Sequence, residues 1–189
     1  MKKKYVKDYE SLPEAANEKE SKLNFVYKGK YYSYGLNREE YIHMCVTYMF
    51  VLFFFSLTLL LLFLQNGQGS RTFYVFFPVA FMVMPLAYAW MGVAALYAVV
   101  RKRGKTKEYL MEYSVYDTTH NRLRKTGLGL LMLSGAGFMG ESALLIFNGK
   151  AVSMAAEWLF CILLVILFLL SLAFFAIQRR YICKEWISS

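Results

Sequence analysis

The chain has 189 residues, is 58% hydrophobic, and carries 22 Lys and Arg against 13 Asp and Glu, a net charge of +9. Its apolar residues come in long unbroken runs, which excludes an ordinary soluble domain patterned at 3.6 or 2 residues. The basic excess excludes little by itself, but it accompanies no nucleic-acid-binding motif, and its placement follows a membrane topology instead.

Residues 1–22 are polar, charged with both signs and poor in large apolar residues, the composition of a disordered tail. The N-terminus has a charged start with no apolar region behind it, so a cleavable signal peptide is not expected. Residues 23–36, KLNFVYKGKYYSYG, set aromatic and apolar residues on either side of Lys28-Gly29-Lys30. That pattern predicts a short β-hairpin. It equally suits a set of interfacial anchors, because a Tyr ring is apolar while its hydroxyl stays wet; the two readings are compatible.

A helix crossing about 30 Å of hydrocarbon needs about 20 apolar residues. Four runs meet this: Tyr41–Leu64, Thr72–Val100, Thr126–Asn148 and Met154–Ile177. None alternates as a barrel strand must. The first helix starts at Asn37, where Glu40 can reach back in a capping box. Beyond Thr47 it is almost wholly Phe and Leu, a lipid-facing composition. His43 is a lone interfacial histidine with no second ligand at metal spacing.

The short loop 65–71 makes the first two helices antiparallel neighbours. The second run holds Pro78 and Pro85, seven residues apart and near one face. Each removes a backbone hydrogen bond, so a kink is expected. Gly92 and Ala95 add a small-residue surface for close packing.

The middle loop, 101–125, opens with the polybasic RKRGKTK. Arg101, Lys102, Arg103, Lys105 and Lys107 are candidate contacts for anionic lipid headgroups, although fixing topology alone accounts for them. KEYLMEYSVY reads as a short amphipathic helix with Tyr109, Leu110 and Tyr113 on one face. Asp117–Asn121 reads as a turn or helix start. His120 beside Asp117, with no nucleophile, does not make a catalytic site.

The third run contains the one carboxylate well inside any run, Glu141. Counting 100° per residue, its face carries Gly127, Leu130, Ser134, Gly137, Leu145 and Asn148. An intramembrane carboxylate points into a bundle or a wet cavity. The candidate polar site is therefore Glu141, Ser134 and Gly137. Arg71 and Lys150, which flank runs on the same side, and Tyr88 are candidate partners. Gly149 is available for a left-handed helix stop, Ser153 can cap the last helix, and Glu157 sits in its first turn where the dipole favours an anion.

Nine of the 22 basic residues precede the first run, eight lie between the second and third, and three follow the fourth; Arg71 and Lys150 make up the rest. That distribution puts both termini and the middle loop in the cytoplasm. Cys45, Cys161 and Cys183 do not pair by spacing, so neither a disulfide nor a metal site is expected.

The expectation is an all-α integral membrane protein. A cytoplasmic tail, 1–36, precedes a four-helix transmembrane domain, 37–177, and a cytoplasmic tail, 178–189. The chain carries no catalytic motif such as HExxH or GxSxG, and no cofactor or nucleic-acid partner is expected. The functional reading is a non-enzymatic multi-pass protein of the plasma membrane. It would be an accessory subunit docking another membrane protein, or itself, through the third helix and the Tyr-rich segments. The alternative is a small oligomeric transporter or channel using Glu141.

Overall fold

A computed structural model describes residues 9–11, 25–27, 29–66, 73–103, 109–148 and 154–186. Among these, four helical segments are long and apolar enough to cross a membrane: Arg38–Gln65, Phe77–Arg101, Tyr113–Phe147 and Trp158–Arg180.

The first is helix α1, Arg38–Asn66. Its start follows the sequence. The Asn37 amide donates to Glu40 Oε2 at 3.0 Å, and the Asn37 carbonyl accepts from the Tyr41 amide at 2.9 Å. Just before it, Gly35 has φ +64°, a left-handed turn residue that a side chain would strain. The second segment is broken into α2, Phe73–Phe81, and α3, Val83–Arg103. The break at Met82 lies one turn ahead of Pro85, which has no N–H to bond the Phe81 carbonyl. The Met82 amide is shared between the Pro78 and Val79 carbonyls, each at 3.2 Å.

The third segment begins earlier than its apolar run. A short helix α4, Tyr113–Tyr116, passes through a π-helical turn, Asp117–Asn121, into α5, Arg122–Asn148. Read from the sequence as a turn or helix start, this segment is helical, and its polar side chains bond along the axis. Thr118 and Thr119 donate back to carbonyls one turn earlier, and Asn121 Nδ2 donates to Asp117 Oδ1 at 2.7 Å. The fourth segment is α6, Met154–Arg180.

The helices pack in a ring. α5 lies against α6 and against both α2 and α3, and α1 lies against α6 and α3. Their shared core is large side chains: Leu52, Phe55, Met82, Leu96, Leu130, Phe160, Leu164, Leu167 and Phe174 are almost fully buried. The indole N–H of Trp90 also reaches Ser56 Oγ on α1, at 3.1 Å. The outward face of α1, including Phe50, Phe53, Leu57, Leu60 and Leu64, is exposed, as a lipid-facing helix requires.

Among the described residues there are also five short strands: β1, Tyr9–Ser11; β2, Phe25–Tyr27; β3, Tyr31–Ser33; β4, Met111–Glu112; and β5, Lys184–Trp186. The expected hairpin within 23–36 is replaced by longer-range pairing. β2 pairs with β1, whereas β3 is the central strand of an antiparallel sheet ordered β4-β3-β5. Tyr31 sits opposite Glu112 on one side and Trp186 on the other. Of the amphipathic helix expected over 107–116, the described residues are helical only over Tyr113–Tyr116. Residues 111–112 are extended to serve this sheet, and helix begins only at Tyr113.

Candidate functional site

The polar stripe on α5 faces inward. Leu123, Thr126, Gly127, Leu130, Ser134, Gly137 and Glu141 are its buried positions, the spacing of one helical face. Gly127, Ser134 and Glu141 recur every seven residues, and on α6 so do Leu164, Ser171 and Gln178. A seven-residue repeat keeps two helices in register along a shared seam.

The seam has three levels. At the first, Gln178 Nε2 donates to the Leu123 carbonyl at 2.7 Å. Its side chain occupies the space over Gly127, where an added Cβ would meet Oε1 at 2.8 Å. At the second, Ser134 Oγ and Ser171 Oγ share a hydrogen bond of 2.8 Å. At the third, Glu141 is 0% exposed. It takes part in a further polar or electrostatic contact, and Cys161 of α6 lies within its electrostatic range. Gly137, one turn away, lets α5 approach Leu164, Met82 and Pro78; an added Cβ would lie 3.4, 3.8 and 3.9 Å from them.

A second line of close contact runs along α2 and α3. Pro78, Pro85 and Gly92, at seven-residue intervals, meet Gly137, Gly129 and Leu123 of α5. Both prolines thus lie on the face turned toward α5, and the glycines opposite accommodate them. Gly92 is the tightest point, with Leu123 Cδ2 3.0 Å from where its Cβ would be.

Of the candidate residues, Ser134, Gly137 and Glu141 are all buried on the inward face of α5. Tyr88 does not join them. Its ring is exposed, with the Arg122 guanidinium 5.8 Å from its centre. Arg122 lies 19 residues before Glu141 on the same helix, about 28 Å along the axis. Arg71, Lys150, Lys105 and Lys107 lie outside the described residues, as do the side chains of Lys102 and Arg103, while Arg101 is exposed. Ser171 and Gln178 were not singled out by sequence reasoning, although the seven-residue spacing of polar groups in an otherwise apolar run was a signal for them.

At the end of the bundle where α1 and α5 begin and α6 ends, three distant segments converge into a cap. Tyr32 on β3 stacks on Tyr116, with ring centres 4.2 Å apart and an interplanar angle of 15°. The Tyr34 hydroxyl and His120 Nδ1 share a hydrogen bond of 2.9 Å. His120 stacks in turn on Tyr116, and Tyr34 meets Tyr41 edge-on. Beneath the sheet, Met111 Sδ accepts from Tyr41 Oη at 3.7 Å and Thr119 Oγ1 at 3.9 Å. Lys30 bridges to Glu185 at 3.0 Å, an exposed pair worth little to stability. Burial pushes the Cys183 thiol up to about 12. Burial, then the neighbouring Tyr41, holds the Tyr34 hydroxyl well above its ordinary value.

Among the described residues no group of three His, Cys, Asp or Glu could hold a metal ion. The chain matches no protein-family model, no curated protein and no solved structure.

Proposed function

We propose that the chain is a non-enzymatic, four-span protein of the plasma membrane, an accessory or interaction subunit that presents its cap to a partner. Both termini and the middle loop would be cytoplasmic, as the distribution of Lys and Arg favours. The observation that carries this reading is the convergence of residues 31–34, 109–121 and 181–186 on one tyrosine-lined sheet. A surface assembled from three segments is folded before a partner arrives, which lowers the ordering cost of binding. Tyrosine suits such a surface because it joins apolar area to a hydrogen-bonding hydroxyl. The docking face expected on the third helix is not part of this reading, since its small and polar stripe is occupied by α6 and α2.

Full burial of Glu141 favours the second reading, a small oligomeric transporter or channel. Against it stands the spacing of the seam. Its polar levels are seven residues, or about 10 Å, apart, and Leu130, Leu164 and Leu167 fill the interval as buried side chains. Hydrogen bonds span about 3 Å, so the polar levels of this seam are too far apart to bond directly to one another. Glu141 in this account holds helices together.

The deciding experiment is gentle extraction from the native membrane, mass measurement of the intact complex, and flux assays on liposomes carrying wild type or Glu141→Gln. A stoichiometric second protein, with no flux above protein-free liposomes, is expected. A homogeneous homo-oligomer whose flux disappears in Glu141→Gln would replace this reading with the transporter.

A further inference from the structure

The outer surface between α3 and α5 is a groove with chemically distinct ends. Its floor is the contact line of Pro85 on Gly129, where two residues without long side chains bring the helices together. Its walls are long and flexible. Met84 is 68% exposed and Met132 is 67% exposed, with Leu128 also outward. These residues lie on the outer side of the contact line, since Leu86, Ala89 and Val93 of α3 and Leu130 of α5 turn to the core. At the cap end, Arg122 is held over the Tyr88 ring. Lys125, exposed and one turn further along α5, projects from the same side of the helix as Arg122.

We propose that this groove binds one anionic phospholipid, with its phosphate on Arg122 and Lys125 and an acyl chain along Met84, Leu128 and Met132. The charge pattern selects the occupant. A neutral helix would cover the apolar walls without answering two adjacent cations, and a zwitterionic lipid would bring a phosphate but set its own ammonium beside them, whereas an anionic lipid satisfies both ends with no added positive charge. The guanidinium presents a planar fork suited to phosphate, and its stacking on Tyr88 fixes it in advance. Methionines adapt to a chain of varying shape. This inference rests on the membrane-spanning reading and is independent of the accessory role.

Native mass spectrometry of the full chain in detergent, titrated with phosphatidylglycerol, phosphatidylcholine or glycerol phosphate, tests it. The first phosphatidylglycerol should bind wild type at least about tenfold tighter than phosphatidylcholine, and Arg122→Gln/Lys125→Gln should weaken it about thirtyfold. The Arg179→Gln/Lys184→Gln variant, which loses equal charge at the same end, should stay within about threefold of wild type. Glycerol phosphate should not be retained. Any of three results overturns the site: no preference for the anionic lipid, equal losses in both variants, or glycerol phosphate bound as tightly as the lipid. If the first variant does not fold, wild type alone decides. Phosphatidylglycerol with a photoreactive acyl chain should mark peptides containing Met84 and Met132, and labelling spread evenly over α1 and α6 would refute the groove.

Discussion

Gln178 lies over Gly127, and neither residue makes sense without the other. The glutamine amide bonds a main-chain carbonyl of the neighbouring helix only because a glycine leaves it room. Gly127→Ala should therefore displace Gln178 and break its bond to the Leu123 carbonyl. A loss of about 1–3 kcal/mol is expected, the range for a buried polar group deprived of its partner. Gly129→Ala is the matched control, because its Cβ would lie 3.7 Å from Pro85 in ordinary contact. Thermal unfolding in one detergent should separate the two variants clearly. Equal stability would mean that the glutamine is not held as described.

The Ser134–Ser171 pair should contribute modestly. Hydrogen bonds between apolar-phase helices average about 0.6 kcal/mol in double-mutant cycles. A cycle of Ser134→Ala and Ser171→Ala should return a coupling of that order. Ser134→Leu should do far more damage, because it forces bulk into a position that is 0% exposed.

In the cap, Tyr34→Phe removes one hydroxyl and its bond to His120, a change of about 1 kcal/mol. Tyr32→Ala removes the ring stacked on Tyr116. Hydrogen exchange should show both as faster exchange in 31–34, 111–116 and 184–186 together, with α1, α3, α5 and α6 unchanged at their centres. Faster exchange confined to the mutated strand would show that the three segments do not act as one unit.

Alkaline pH should loosen the same unit. The Cys183 thiol rises from an ordinary 9.0 to about 12, and Tyr34 is raised above 10.0, both chiefly through burial. Each raised value means that the folded cap favours the protonated group. The contribution is complete below the unfolded values and falls away as pH rises from about 9 toward 12. Alkylation of Cys183 at pH 8 should accordingly be slow in wild type and faster in Tyr32→Ala. Replacing Cys183 with Ala should flatten the loss of cap protection between pH 9 and 10. An unchanged pH profile in that variant would remove the thiol from the account.

Local chemistry made much of this legible in the sequence. Asn37 and Glu40 mark the start of α1 because a capping box is contiguous. Pro85 marks the break at Met82 because the missing N–H acts one turn away. Counting 100° per residue finds the Gly127, Ser134 and Glu141 face without any partner. The strands were harder. β3, β4 and β5 have three, two and three residues, too short for alternation to register, and their pairing joins positions far apart in the chain, Tyr31 with Glu112 and with Trp186. The seven-residue spacing marks Gln178 only as a polar position; its acceptor is a main-chain carbonyl on another helix, which the spacing does not name.

The most direct test of the account places a photoreactive amino acid at Lys184 or Ser114 in the cap, or at Phe53 or Leu57 on the outward face of α1, in native membranes. One discrete adduct with a second protein is expected from the cap positions and none from α1. Silence at the cap, or adducts appearing only from α1, would contradict it.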